Sequence, residues 1–168
     1  MTIPEHPVEG APTERDLRYL RRAIALSSQA RSSGKHPFGA LVVGDDDEVI
    51  AEATNAVRWP DGDATGHAEL VAVREASRAF PPEQLARATL FTSAEPCAMC
   101  AGAVYWSGIA RVVYGLSETR LLALTGNHLE NPTLSLPCLE VFSRGTRRIM
   151  VLGPMMEDEA AAPHSGFW

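Results

Sequence analysis

The sequence predicts an α/β fold in which helices cover a mixed sheet, and two observations carry that prediction. Two short apolar runs flank an acidic turn, which is the pattern of an antiparallel hairpin. Farther on, a strand, a helix and a second strand follow in the order of a parallel crossover unit. At 168 residues and 45% hydrophobic content, the chain (1–168) has material for one domain around one buried core.

Each element has its own signal. Thr13 before Glu14 and Asp16 reads as a helix start, Leu17, Leu20 and Ile24 share one face, and Gly34 is a stop. Phe38 to Val43 and Val49 to Ala53 form the hairpin, with Asp45, Asp46, Asp47 and Glu48 as its solvated tip. A polar loop runs from Asn55 to Gly66. From His67 to Phe80 the spacing of Leu70, Val71, Val73 and Ala76 is helical, and Pro81-Pro82 ends it. Ala88 to Thr92 is a strand, a helix starts near Cys97, and Arg111 to Tyr114 is the next strand. A last strand, Arg147 to Leu152, leads into a tail from Pro154 to Trp168, and residues 1–12 read as a flexible amino-terminal segment.

Composition excludes several function classes. No apolar stretch approaches the roughly 20 residues of a membrane span, and the amino end is polar and proline-broken rather than signal-like. No glycine-rich phosphate loop is present. The formal charge of −6 argues against a protein that grips phosphates. Three cysteines, an odd count with two of them three residues apart, fit metal ligation in a reducing, cytoplasmic compartment better than disulfides.

The chemistry sits in two short pieces, His67-Ala68-Glu69 and Pro96-Cys97-Ala98-Met99-Cys100, each opening a predicted helix. Cys97 and Cys100 at i and i+3 point the same way, so two thiolates can share a cation, and His67 supplies a third ligand. Three protein ligands leave one position open, as in catalytic zinc, and Glu69 is then the carboxylate that moves protons beside it. Two other readings stand beside this one. Cys-x-x-Cys at a strand-helix junction also suits a redox dithiol, and Cys138 offers a fourth ligand for a structural site, although it reads better as a buried apolar residue.

The stretch Thr92-Ser93-Ala94-Glu95-Pro96-Cys97-Ala98-Met99-Cys100-Ala101-Gly102-Ala103, together with His67-Ala68-Glu69, resembles the cytidine-deaminase-like superfamily. It is similar to the branch of bacterial guanine deaminases, fungal cytosine deaminases and tRNA adenosine deaminases, over roughly Leu17 to Gly115. The resemblance implies a three-layer α/β/α sandwich around a mixed, about five-stranded sheet, one zinc per chain and commonly a homodimer. It implies hydrolytic replacement of a ring amine by oxygen, with Glu69 carrying the protons. By the same resemblance Asn55 hydrogen-bonds the substrate ring, Phe38 and Trp106 line the base pocket, and backbone amides near Ala68 and Cys97 hold the exocyclic group.

Substrate choice is less determined. A tRNA-editing enzyme needs cationic surface, whereas Met155-Met156-Glu157-Asp158-Glu159 is acidic and Arg147-Arg148 is a small counterweight. That favours a small nucleobase-like substrate of the guanine, isocytosine, cytosine or amino-triazine type. Glu118 is the nearest carboxylate to read the far edge of the ring, since Arg120 falls where similar guanine deaminases carry an aspartate. The alternatives are a tRNA adenosine deaminase and a non-catalytic zinc-stabilised binding module, and Glu69 argues against the latter. Phe167 and Trp168 end the chain after Pro163-His164-Ser165-Gly166, and two large aromatics need a receiving surface. They either pack on their own chain or close over a zinc pocket, their own or a partner's.

Overall fold

The computed structural model describes residues 10–57, 62–126 and 128–168. Residues 1–9, and Arg58 to Asp61 of the expected Asn55–Gly66 loop, lie outside the described residues.

The first helix, α1 (Glu14–Ser32), begins where the sequence places it. Thr13 Oγ1 accepts from the Asp16 backbone amide at 3.2 Å and Asp16 Oδ2 accepts from the Thr13 amide at 3.0 Å, the two halves of a capping box. Asp16 is also buried against Arg111, with bonds of 2.6 and 3.1 Å that tie α1 to the start of a central strand. Burial pushes the Asp16 carboxyl up, but the Arg111 and Thr13 bonds outweigh it and hold it at about 2.

The hairpin follows as β1 (Gly39–Val43) and β2 (Val49–Thr54), paired antiparallel. Helix α2 (Ala68–Ala79) leads through a short α3 (Pro82–Leu85) to β3 (Thr89–Ala94). Then come α4 (Ala98–Ser107), β4 (Arg111–Leu116), α5 (Glu118–Thr125), α6 (Cys138–Ser143) and β5 (Met150–Leu152). The strand order is β2-β1-β3-β4-β5, with β1 antiparallel to β2 and β3 and the β3-β4-β5 pairs parallel. The sheet is therefore mixed and five-stranded, as expected.

Alternation along the strands sorts the helices into two layers. Ala40, Val42, Leu90, Val112 and Val151 face a core completed by α2, α4 and α6. Leu41, Val43, Phe91, Val113 and Leu152 face α1 and the chain's end. Close approach on this second face needs Gly39, where a Cβ would lie 2.5 Å from Leu26 Cβ and 2.6 Å from the Ala23 carbonyl oxygen.

One expectation is corrected. The last strand is shorter than Arg147–Leu152, because its first three residues stay outside the ladder. The tail, to which the sequence assigns no element, carries α7 (Glu157–Ala161) and a 3-10 turn (Ala162–His164), which bury Ala160, Ala161, Pro163 and His164. Such short helices leave too few turns for an apolar period to be readable.

Candidate active site

Topology brings the two sequence motifs together. Strands β3 and β4 run parallel with Ala94 opposite Leu116, so the residues just beyond them, Glu95 to Cys97 and Glu118, emerge side by side. Antiparallel β1 pairs Ala40 with Thr92, which puts Phe38 at the same edge. His67 is the residue preceding α2 and Cys97 the residue preceding α4, so both ligand groups stand at helix amino ends that point there.

His67 Nδ1 lies 3.6 Å from Cys97 Sγ and 3.6 Å from Cys100 Sγ, and the three ligand atoms lie within 4.8 Å of one another. Zinc bonds of about 2.3 Å to sulfur and about 2.0 Å to nitrogen at a tetrahedral angle separate the ligand atoms by about 3.5 Å. The donor set and its spacing therefore fit a zinc ion. Cys97 is held down at about 4, first by the Cys100 hydrogen bond and against its own burial, and the same contact with burial pushes Cys100 up. One thiolate is thus favoured before any cation arrives. Cys138 is fully buried in the core among apolar residues and does not join this cluster.

Glu69, in the first turn of α2, is buried. Its Oε2 is 3.9 Å from Cys100 Sγ, and its Oε1 is 3.2 Å from the Thr92 hydroxyl. Burial pushes its carboxyl up, with the neighbouring His67 opposing.

Above these groups is a cavity of about 280 Å³ whose walls include Phe38, Glu95, Met99, Glu118, Asn131 and Leu134. Glu118 carries no side-chain hydrogen bond among the described residues, and burial, then the charges of Glu95, Cys97 and Glu69, push its carboxyl up to about 7. Glu95, unassigned in the sequence reading, accepts the Glu118 amide at 3.1 Å and the Cys138 amide at 3.0 Å. It fixes the starts of α5 and α6 around the cavity; its place two residues before Cys97 was its only signal. Asn131, Pro132 and Leu134 come from an irregular connection with no motif at all.

Several expected substrate residues stand elsewhere. Asn55 is buried outside the cavity lining; its Oδ1 accepts the Val57 backbone amide at 2.7 Å, and its backbone N–H donates to the Phe38 carbonyl at 3.0 Å. Ala68 sinks its methyl into the core, leaving its backbone amide at the helix amino end as the group it offers. Trp106 is not in this cavity. Six residues beyond Cys100 corresponds to about 600° of helical rotation, which turns it off the Cys100 face. It is 79% exposed beside an apolar groove with Leu70, Val73, Phe80 and Ala103. Arg120 turns away to Asp158 and Glu157. Phe167 and Trp168 pack on their own chain: the Trp168 ring is 5.0 Å from His36 and 6.3 Å from Phe38, and its Nε1 donates to His164 Nδ1 at 3.2 Å. Neither ring is among the residues that line the cavity.

Comparison with known proteins agrees with this geometry. Residues 13–116 match the family model of the cytidine and deoxycytidylate deaminase zinc-binding region. The chain is 47% identical over 156 residues to the probable cytosine deaminase of Schizosaccharomyces pombe, covering 93% of this chain and 94% of that protein. It is 36% identical over 112 residues to a tRNA-specific adenosine deaminase of Haemophilus influenzae, covering 67% of this chain and 64% of that one. Its structure is similar to the guanine deaminase from Nitrosomonas europaea, with a TM-score of 0.71, 27% identity, and coverage of 96% of this chain and 87% of that one.

Proposed function

The chain belongs to the cytidine and deoxycytidylate deaminase zinc-binding family, and from that premise we propose that it hydrolyses the exocyclic amine of a free nucleobase of the cytosine or guanine type. The exocyclic C–N bond breaks with the ring intact, water supplies the carbonyl oxygen, and ammonia leaves. The observation that carries this reading is the placement of buried Glu69 beside the His67, Cys97 and Cys100 cluster on the floor of a small cavity.

His67, Cys97 and Cys100 would hold the zinc, which lowers the pKa of water to about 7 when bound in such a site. Glu69, whose Oε2 stands 3.9 Å from Cys100 Sγ, would take one proton from water and pass it to the ring nitrogen, and would then pass the second proton, released as the new hydroxyl becomes the carbonyl, to the departing amine. Phe38 offers a flat apolar face to the ring, and Glu118 a carboxyl to its polar edge.

Size and charge favour a free base over a nucleotide or RNA. The cavity is at the small end of ligand sites, which span about 300–1,000 Å³. Its described lining holds Glu69, Glu95 and Glu118 and no lysine or arginine, so a phosphate finds no partner there. The surface acids Glu157, Asp158 and Glu159 on α7 act in the same direction.

A homodimer belongs to the same reading, with the Trp106 groove as its contact, since an exposed tryptophan on an apolar face is a costly surface to leave wet. The free Cys97, Cys100 and Cys138 suit a reducing cytoplasm, and no described helix is long and apolar enough to cross a membrane.

Ammonia release from cytosine, guanine, isocytosine, nucleosides and transfer RNA tests this. Turnover of a free base is expected. Inosine formation in transfer RNA alone would make the RNA reading correct, and no release from any of them would leave a zinc-stabilised binding module.

A further inference from the structure

His36 reads in the sequence as an ordinary loop histidine, yet it is buried, and its Nε2 stands 3.0 Å from Glu130 Oε2. The two residues are 94 positions apart, and each adjoins one wall of the cavity. Two residues after His36 is Phe38, whose amide donates to the His36 carbonyl at 2.8 Å, so the two move together. One residue after Glu130 is Asn131, followed by Pro132 and Leu134, and these line the same cavity as Phe38.

On the Glu130 side two leucines of the connection stay largely in solvent. Leu129 is 86% exposed and Leu134 59% exposed, so the apolar side chains of this connection bury little surface. Within it the Asn131 amide donates to the His128 carbonyl, the Glu130 amide to His128 Nδ1 at 3.3 Å and the Leu136 amide to the Leu134 carbonyl, and the His128 ring stands 5.8 Å from that of Trp168. The His36 side is firmly set. The rings of Trp168 and Phe167 stand 5.0 and 6.1 Å from the imidazole. Arg31 in turn holds the tail through the Pro163 and Ser165 carbonyls at 2.7 Å each.

We infer that His36 and Glu130 are a positioning pair: their bond braces the Asn131–Leu134 wall against the Phe38 wall and sets the width of the slot that grips the flat ring. The pair touches no reacting atom. Its kinetic consequence rests on the deaminase reading, while its structural consequence does not. Loss of the brace widens the slot and weakens ring binding, and the floor that performs the chemistry stays in place, so KM carries the effect.

The test uses the zinc-loaded full chain and cytosine, with Glu130→Ala, Glu130→Gln, His36→Ala and the double alanine variant. Glu130 is partly exposed, so its variants keep the fold if His36→Ala does not. Glu130→Ala should raise KM about tenfold with kcat within about threefold, and Glu130→Gln should recover most of it, because an amide oxygen still accepts from Nε2. The double variant should be no worse than the worse single one. Hydrogen exchange over residues 128–136 should quicken about tenfold in Glu130→Ala. Unchanged exchange there, or an unchanged KM at parental zinc content, overturns the brace. Faster exchange in a chain that deaminates no base would retain the brace and reject the deaminase reading.

Discussion

The Thr92 hydroxyl lies between two acceptors, 3.2 Å from Glu69 Oε1 and 2.9 Å from the Ala94 carbonyl oxygen, and it has one proton to give. With Glu69 ionised, that proton is drawn to the carboxylate; with Glu69 protonated, the hydroxyl can accept from the acid and donate to Ala94 instead. Thr92 therefore accommodates both states of the carboxyl proposed to shuttle protons. Thr92→Val keeps the volume and removes this adaptability. It should lower kcat about tenfold at unchanged zinc content, the rate cost of about 1.4 kcal/mol. Steady-state kinetics with metal analysis decides it, and a parental kcat would make Thr92 merely a packing residue.

Glu69→Gln preserves the side-chain shape and the contact to Thr92 while removing the titrating oxygen. Turnover should fall by about 10²–10⁴-fold, the usual contribution of a general acid–base group, with zinc retained. A loss under about tenfold would contradict the role proposed for Glu69.

Cys97→Ala and Cys100→Ala each remove one of three ligand atoms spaced for zinc. A methyl group cannot replace a thiolate, so both variants should drop from near one zinc per chain to well under half, and both should melt earlier than the parent. Elemental analysis beside thermal unfolding measures this. Full zinc in both would return the Cys-x-x-Cys to the redox reading.

The chemical floor of the site was legible in the sequence because its residues are close along the chain: His67 and Glu69 share one helix start, and Cys97 and Cys100 share another. The hairpin and the parallel crossover were legible from alternation and turn residues, which are also local. The cavity walls were not. Asn131, Pro132 and Leu134 come from an irregular segment, and Glu95 acts through bonds to residues 23 and 43 positions away. The family resemblance puts Trp106 in the pocket, but helical phase decides where a side chain points, and it carries Trp106 to the outer groove.

His164 gives the fold a pH dependence of known sign. It is buried, its Nδ1 accepts from Trp168, and its Nε2 has no partner among the described residues. Burial, then the nearby Arg31 charge, lowers its pKa from the ordinary 6.5 to about 4. Below about pH 6.5 the unfolded chain binds a proton there that the folded chain refuses until about pH 4. This contribution to stability is therefore full above pH 6.5 and falls with pH, by about 3 kcal/mol at pH 4. His164→Asn keeps an acceptor for Trp168 without the titration. Urea unfolding at pH 7, 5.5 and 4.5 should show a shallower decline for the variant, and parallel slopes would assign the effect to other groups.

The tail is the remaining test of how the cavity is supported. Trp168 is half-buried against His36 and Phe38, and Phe167 against His36, all of their own chain, so the tail packs on the residue that forms one wall of the cavity. Removing residues 165–168 takes away that backing, together with the Arg31 bond to the Ser165 carbonyl, and leaves the zinc cluster and Glu69 untouched. Burying even part of two such rings is worth about 2 kcal/mol, so the truncated chain should melt earlier. Its kcat/KM should fall about tenfold, chiefly through KM, because the wall loosens while the proton relay keeps its geometry. Arg31→Ala, which frees the tail without deleting it, should move KM in the same direction by a smaller factor. Zinc should stay near one per chain in both. If truncation lowers the melting temperature but leaves KM at the parental value, the aromatics serve the fold alone and Phe38 is held by β1 and Asn55 without them.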